Sequence, residues 1–295
     1  MSKLTTHTTA SRDSHSIGLC KFNTTSNAIE VSDGNAWQVY DPDTVTGWSG
    51  SNTYSLNFDG TDDYLTGSPV TPTAQQGTIS AWVKTTTGGP IFSWSNIDYN
   101  PPAGTTKPQL TILGSGQLDF LYQQQHSGNE VNRIRSTSTI NDGDWHHVAV
   151  TSNGSSWALY IDGSPASSTV PTGSNTGQWV GDIYNTNPAF VAFSDIGASR
   201  RNPTIGGSGY FQGNIDEVAI WDSALSSSQI STIHSSGPGN LLPLNPKAWW
   251  RMGDGVEANS GTTVYDMSSF SNNMTIVNAT GGSNASGADY QTDTP

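Results

Sequence analysis

Between residues 52 and 233, apolar and polar side chains alternate in short runs, at 54–58, 78–84, 109–113, 118–122, 145–151, 157–161 and 214–221. A period of two places successive side chains on opposite faces of an extended strand. The runs are separated by turn formers: Asp59-Gly60, Gly88-Gly89, Gly114-Ser115-Gly116, Asn141-Asp142-Gly143-Asp144, Asn153-Gly154 and Asp162-Gly163. Short strands at this spacing predict an antiparallel sandwich or barrel, not a parallel sheet with crossover helices. Within residues 215–221 both alternating sets carry apolar residues, which predicts a central strand covered on both faces. Along 145–151, His146, Val148 and Val150 fall on one face, and Trp145, His147, Ala149 and Thr151 on the other. Adjacent strand residues point apart, so His146 and His147 cannot serve one site and read as a half-buried pair. One helical signal follows: Ser223-Ala224-Leu225-Ser226-Ser227-Ser228-Gln229-Ile230 predicts a capped turn closing the unit.

The two ends differ in texture. Residues 1–16 form a Ser/Thr/His-rich arm that does not fold alone. Residues 17–40 alternate again, with Ile17, Leu19 and Phe22, then Ile29 and Val31, then Trp37, around Asn-, Asp- and Gly-containing turns. This predicts a small β-meander, a unit too small to be stable unless it packs on something else. Those six residues are therefore the candidate anchoring and oligomerisation positions. Beyond Pro238-Gly239 the strong apolar segments are Ala248-Trp249-Trp250-Arg251-Met252 and Thr263-Val264-Tyr265, and the first is expected to pack onto the body. The predicted organisation is an anchoring region at 1–50, a sandwich domain at 51–237 and a C-terminal flank at 238–295.

Composition narrows the class. Lys and Arg number 11 against 24 Asp and Glu, for a net charge of −13, and a surface so acidic repels nucleic acid. Only 12% of residues are charged, while 32 Gly, ten Trp, ten Tyr and eight Phe favour an all-β fold with plenty to bury. One cysteine, Cys20, makes no internal disulfide. The start, Met1-Ser2-Lys3-Leu4-Thr5-Thr6-His7, lacks the apolar core of a signal peptide. No apolar run approaches the ~18 residues of a membrane span. The expectation is a chain made soluble in a cytoplasm, without membrane insertion.

Four ordered blocks carry a resemblance. They are residues 56–65 (Leu-Asn-Phe-Asp-Gly-Thr-Asp-Asp-Tyr-Leu), 78–84 (Thr-Ile-Ser-Ala-Trp-Val-Lys), 142–151 with Leu159-Tyr160-Ile161-Asp162-Gly163, and 213–221 followed by Ala224-Leu225-Ser226. Together they resemble the laminin-G-like, concanavalin-A-like family over about residues 52–233, which implies an antiparallel jelly-roll β-sandwich. The resemblance further implies a calcium held between an early loop and the last strand, at Asp59, Asp62 and Asp63 together with Asp216. Residues 17–40 resemble a short motif of bacteriophage tail-fibre and other virion surface proteins. The run 248–255, with 261–266, resembles a segment bordering laminin-G-like domains in marine phage proteins. These flanks imply a virion structural protein, either capsid decoration or fibre component. It would be a homotrimer that contacts other virion proteins and displays its domain toward host-surface glycans.

Two other classes stand beside that one. A stand-alone lectin would stack sugar rings on exposed aromatics, and Trp94, Tyr99, Tyr122 and Trp179 are the candidates. A polysaccharide-active enzyme would need two facing carboxylates. The four Glu, at 30, 130, 217 and 257, are scattered, and none lies in the Glu-x-Asp-x-x-Glu pattern of laminarinase-type relatives. Neither a Gly-x-Ser-x-Gly elbow, a phosphate loop nor a His-Glu-x-x-His motif is present. A non-catalytic protein is the expectation.

Overall fold

The computed structural model describes residues 5–7, 20–23, 28–32, 37–40, 52–71, 73–95, 107–124, 130–186, 188, 191–199, 209–239, 241–254, 262–277 and 290–295. The chain divides into two compact units, Met1–Ser51 and Asn52–Pro295.

In the first unit β1 (Thr5–His7), β2 (Cys20–Asn23), β3 (Ala28–Ser32) and β4 (Trp37–Tyr40) form one sheet in chain order. Strands β2 to β4 are an antiparallel meander, with Phe22 opposite Ile29, Cys20 opposite Val31 and Ser32 opposite Trp37. The polar arm contributes a strand that alternation did not predict: β1 runs parallel to β2, from Thr5 opposite Lys21 to His7 opposite Asn23. Ile17 and Leu19 lie outside the described residues.

The second unit continues with β5 (Ser55–Asp59), β6 (Tyr64–Gly67), β7 (Gly77–Ser95), β8 (Lys107–Ile112), β9 (Gln117–Gln124) and β10 (Glu130–Thr139). Then come β11 (Trp145–Ser152), β12 (Trp157–Ile161), β13 (Ser164–Pro165), β14 (Ser168–Thr172), helix α1 (Val180–Tyr184), β15 (Phe193–Ile196) and β16 (Gln212–Trp221). Helix α2 (Ser227–Ser235) precedes β17 (Ala248–Trp250), β18 (Thr263–Val264), β19 (Met274–Val277) and β20 (Tyr290–Gln291). The strands build an antiparallel jelly-roll sandwich. Its front sheet runs β13-β12-β11-β7-β16, with β5 and β17 sharing the far edge of β16 and β20 beyond β5. Its back sheet runs β14-β10-β9-β8-β7-β15-β6-β19-β18.

Strand β7 belongs to both sheets. Its first half pairs with β11, from Gly77 opposite Ser152 to Lys84 opposite Trp145, and its second half pairs with β8 and β15. At 19 residues it exceeds the usual 3–10, and Gly88 and Gly89 take it round the corner at φ +98° and +140°. A Cβ on Gly89 would lie 2.4 Å from Cα of Phe211, so only glycine fits.

Alternation decides what is buried. Ile79, Ala81, Val83, Val148, Val150 and Ile215 face inward from the front sheet and meet Phe92, Leu110, Ile112, Leu118 and Phe120 from the back. The outer face of the front sheet is covered as well, because α2 lies over it: Ile230 and Ile233 are buried and His234 stacks on Trp82 with centroids 5.6 Å apart. That second layer explains why both sets of residues 215–221 are apolar. The helix starts later than the sequence signal suggested. Ser226 is its cap, bonded from the Gln229 amide, with the Gln229 side chain reaching back to the Ser226 amide, and the helix extends to Ser235. The segment 248–252 does join the body: β17 pairs with β16, Trp249 opposite Ala219, while β18 and β19 extend the sheet from β6 and β20 pairs with β5.

Candidate functional site

The aromatic candidates are not surface platforms. Trp94, Tyr122 and Trp179 are each 0% exposed. Trp179 stacks on Phe120 at 5.3 Å and meets Trp94 edge-on at 5.7 Å, and the Trp94 Nε1–H donates to the Val70 carbonyl. Their ring faces are occupied by other rings, so the expectation of glycan stacking at these three is corrected: they fill the sandwich. Tyr99 lies outside the described residues.

The acidic candidates converge only in part. Carboxylate oxygens of Asp59, Asp62 and Asp63 lie within 4.8 Å of one another. Asp59 Oδ1 accepts from the amides of Thr61 and Asp62, and Asp63 Oδ2 accepts from the amide of Asp59. This is what an Asp-rich turn does with its own backbone. Asp216 is not with them. Asp59 is opposite Gln212, and Asp216 lies four residues further along β16, about 13 Å at strand rise. Its carboxylate is fully buried and accepts from Asn52 Nδ2 at 2.9 Å and from the Glu217 amide. The expected set of four calcium ligands is therefore corrected to a group of three, short of the six to eight oxygens calcium takes.

Asp216 instead belongs to a sealed polar knot. The next residue, Glu217, sits at φ +48° in a bulge of β16, where the partner of the strand changes from β5 to β17. Its carboxylate accepts from Arg251 Nε at 2.8 Å and from Trp249 Nε1, and both charged side chains are within 2% of full burial. Burial pushes Glu217 up to about 7, with Arg251 opposing, and holds Asp216 well above the usual carboxylate range with Glu217 beside it. Two neighbouring buried carboxyls closed off by Trp249 and Arg251 make a structural clasp for the C-terminal flank rather than an open acid–base pair.

The outer face of the back sheet has a different character. Inward residues on β8 and β9 are Leu110, Ile112, Leu118, Phe120 and Tyr122, so the alternate set points outward. Register carries that set straight across the strands: Thr172 is opposite Arg133, Arg133 opposite Leu121, Leu121 opposite Gln109, Gln109 opposite Ser93, and Ser93 opposite Asp195. The row continues through Thr66 and Thr275. Eight strands at about 4.8 Å give a band roughly 34 Å long, nearly all hydroxyl, amide and charge; its middle, from Leu121 through Gln109 and Ser93 to Asp195, is buried, and Thr172 and Thr275 at its ends are exposed. A second row beside it holds Thr169, Arg135, Asp119 and Thr111.

Within this band Asp119 is the anchor. It is buried and accepts from Arg133 Nε and Nη2 at 3.1 and 2.8 Å and from Arg135 Nε at 2.9 Å. The two arginines stand at the rim, with side chains 15% and 25% exposed, beside the exposed strand β14. Deeper in, Gln109 donates to Thr111, yet its Oε1 and that of Gln123 are buried acceptors with no partner. A buried unsatisfied acceptor costs about 1–3 kcal/mol until a donor arrives. Sequence reasoning missed this band because it read strands for their apolar set. The signal was present in the complementary residues of 117–124 and 130–139.

A profile of the concanavalin A-like lectin/glucanases superfamily matches residues 59–231. The chain belongs to that superfamily. Among curated proteins, this superfamily member is similar to the sushi, von Willebrand factor type A, EGF and pentraxin domain-containing protein 1 of Rattus norvegicus, 28% identical over 224 residues. That match takes in 73% of this chain but only 6% of the relative's length. Among solved structures it is similar to the native heptameric SAP-like pentraxin of Limulus polyphemus, at TM-score 0.43 and 22% identity over 62% of this chain and 82% of that one. It is also similar to the mouse laminin alpha1 chain, domains LG4-5, at TM-score 0.41 and 16% identity over 59% of this chain and 43% of that one.

Proposed function

We propose that residues 52–295 form a non-catalytic carbohydrate-binding domain whose ligand lies on the outer face of the back sheet. The observation that carries this reading is the accessible end of the polar band, where exposed Thr172 and Thr169 stand opposite the partly exposed Arg133 and Arg135, in a member of the concanavalin A-like lectin/glucanases superfamily. Sugar hydroxyls are donors and acceptors, and a sugar on β14 and β10 meets the hydroxyls of Thr169 and Thr172 beside the guanidinium groups of Arg133 and Arg135. The ligand enters from the exposed end at β14 and β10. The buried carboxyls at Asp216 and Glu217 support a binding role over hydrolysis, since their oxygens are bonded into the fold.

A glycan array probed with the full chain tests this. The expected result is a defined glycan class whose binding falls about three- to tenfold in Thr169→Val, the loss of one polar contact at the accessible end of the band. Thr172→Val, on the exposed strand, is expected to act in the same direction without altering thermal stability. An array without signal, or binding that both variants leave unchanged, contradicts the reading.

The flanks support a second layer of the same proposal. On their resemblance to phage virion segments, the first unit anchors the chain to other virion proteins as a homotrimer, and the lectin-like domain faces host-surface glycans. The small size of the four-stranded sheet supports an anchoring role, since such a sheet gains stability from a partner. Light scattering of the full chain and of a chain starting at Ser51 tests this. Trimer for the first and folded monomer for the second is the expected pair, and monomers in both cases contradict it.

A further inference from the structure

We propose that the β14–β10–β9 end of the polar band is a subsite for an acidic sugar, one bearing a carboxylate or sulfate. The inference rests on the carbohydrate reading above and adds a ligand class to it. Its basis is a charge count. Arg133 and Arg135 share a single carboxylate, that of Asp119, so the cluster carries one positive charge in excess. Arg133 uses Nε and Nη2 on Asp119 and Arg135 uses Nε alone, which leaves Nη1 of the first and both terminal nitrogens of the second unbonded among the described residues.

These donors are placed, not floating. Asp119 is buried and fixes both guanidinium planes on the sheet, so little side-chain freedom remains to be lost when an anion docks. Thr172 and Thr169, the register partners of Arg133 and Arg135, add exposed hydroxyls on the solvent side. Glu130, three residues before Arg133 on β10, falls on the opposite face, where its carboxylate accepts from Asn132 and Gln178. The next acid along the row is Asp195, three strands beyond Leu121 and about 19 Å from Arg133. That exceeds the ~10 Å over which charges act at 0.1 M salt. An excess cation held open on a protein of net charge −13 marks the place where an anion is accepted despite the repulsive surface around it.

Calorimetric titration of the full chain with two matched ligand pairs tests the proposal. One pair is a galacturonate tetramer and its methyl ester, which isolates the carboxylate. The other is lactose 3′-sulfate and lactose, which isolates the sulfate. The acidic member of one pair is expected to bind about 10–100-fold more tightly, the range of one charge-assisted hydrogen bond. That advantage is expected to vanish in Arg135→Gln, to shrink in Arg133→Lys and to weaken with salt. Arg133 still holds Asp119 in Arg135→Gln, so the sheet stays intact, and the ester comparison needs no variant. If the acidic and neutral members bind alike, or the array selects neutral glycans that bind in preference to acidic ones, the acidic subsite is overturned while the carbohydrate reading stands. If the array shows no glycan at all, both fall together.

Discussion

His147 offers a sharp test of the packing between α2 and the front sheet. Its ring is fully buried, with Nε2 2.7 Å from Ser80 Oγ, Nδ1 without a hydrogen-bond partner and the rings of Trp82 and His234 tilted against it at 5.3 and 6.1 Å. Burial, reinforced by His234, pushes it down to about 3. The folded state therefore keeps this imidazole neutral where the unfolded chain protonates it. A depressed histidine contributes stability that is full above pH 6.5 and is lost as pH falls toward 3. From pH 7 to pH 5 the loss from this residue comes to about 2 kcal/mol. The perturbation is His147→Gln, which keeps a polar side chain for Ser80 and removes the titration. Urea unfolding of the full chain, followed by tryptophan fluorescence at both pH values, reads the difference. Neighbouring His146 is flanked by Asp162 at 2.9 Å and Asp142 at 3.1 Å, and although burial opposes it, the two carboxylates hold it above the ordinary value. Its contribution runs the other way, present at low pH and lost as pH rises, but it is common to both proteins and cancels in the comparison. The wild type is expected to lose about 2 kcal/mol more than the variant on acidification. Equal losses would refute the buried, neutral imidazole.

Other consequences are equally direct. Arg251→Met leaves the Glu217 carboxylate buried without its partner and is expected to cost about 3–5 kcal/mol at pH 8 by urea unfolding. The cost shrinks at pH 6, where Glu217, pushed up to about 7, takes a proton instead, and a pH-independent cost contradicts the clasp. Gly89→Ala forces a Cβ to 2.4 Å from Phe211 at φ +140° and is expected to abolish the sandwich or lower its Tm by ten degrees or so. A neutral effect there shows that β7 does not turn as described. Chelator and excess calcium are expected to leave the Tm within about one degree of each other, because the turn brings together three carboxylates, two of whose oxygens, Asp59 Oδ1 and Asp63 Oδ2, are held by backbone amides. A calcium-dependent rise of several degrees, abolished by Asp62→Asn, would instead show a closed metal site.

The sequence revealed strands where one face is apolar and the other polar. Residues 145–151 and 157–161 correspond closely to β11 and β12 for that reason, and 214–221 to β16 because both of its faces are covered. Strand β10 escaped because its inward set contains Asn132 and Ser136 beside Ile134, so hydrogen bonding replaces part of the hydrophobic signal. The short pieces β6 and β15 escaped because their position in the sheet, not their composition, makes them strands. The site was less legible than the fold. Trp94, Tyr122 and Trp179 are large aromatics of the type sugars stack on, and only tertiary packing decides that Trp94 meets Trp179 and Tyr122 meets Trp157 inside the sandwich. Asp216 stands in the last strand of the family pattern, but the bulge at Glu217 turns it into the clasp with Asn52. The Arg133–Asp119–Arg135 cluster joins two strands 14 and 16 residues apart in sequence and becomes visible only once their register is known.

The most direct test of the central claim is a crystal structure of the full chain with the oligosaccharide that the array selects. The account predicts the sugar on the β14–β10 end of the back sheet's outer face, within hydrogen-bond distance of Arg135 or Arg133 and beside Thr169 and Thr172. A sugar seated on the Asp59–Asp63 turn, or over the front sheet beside α2, contradicts it.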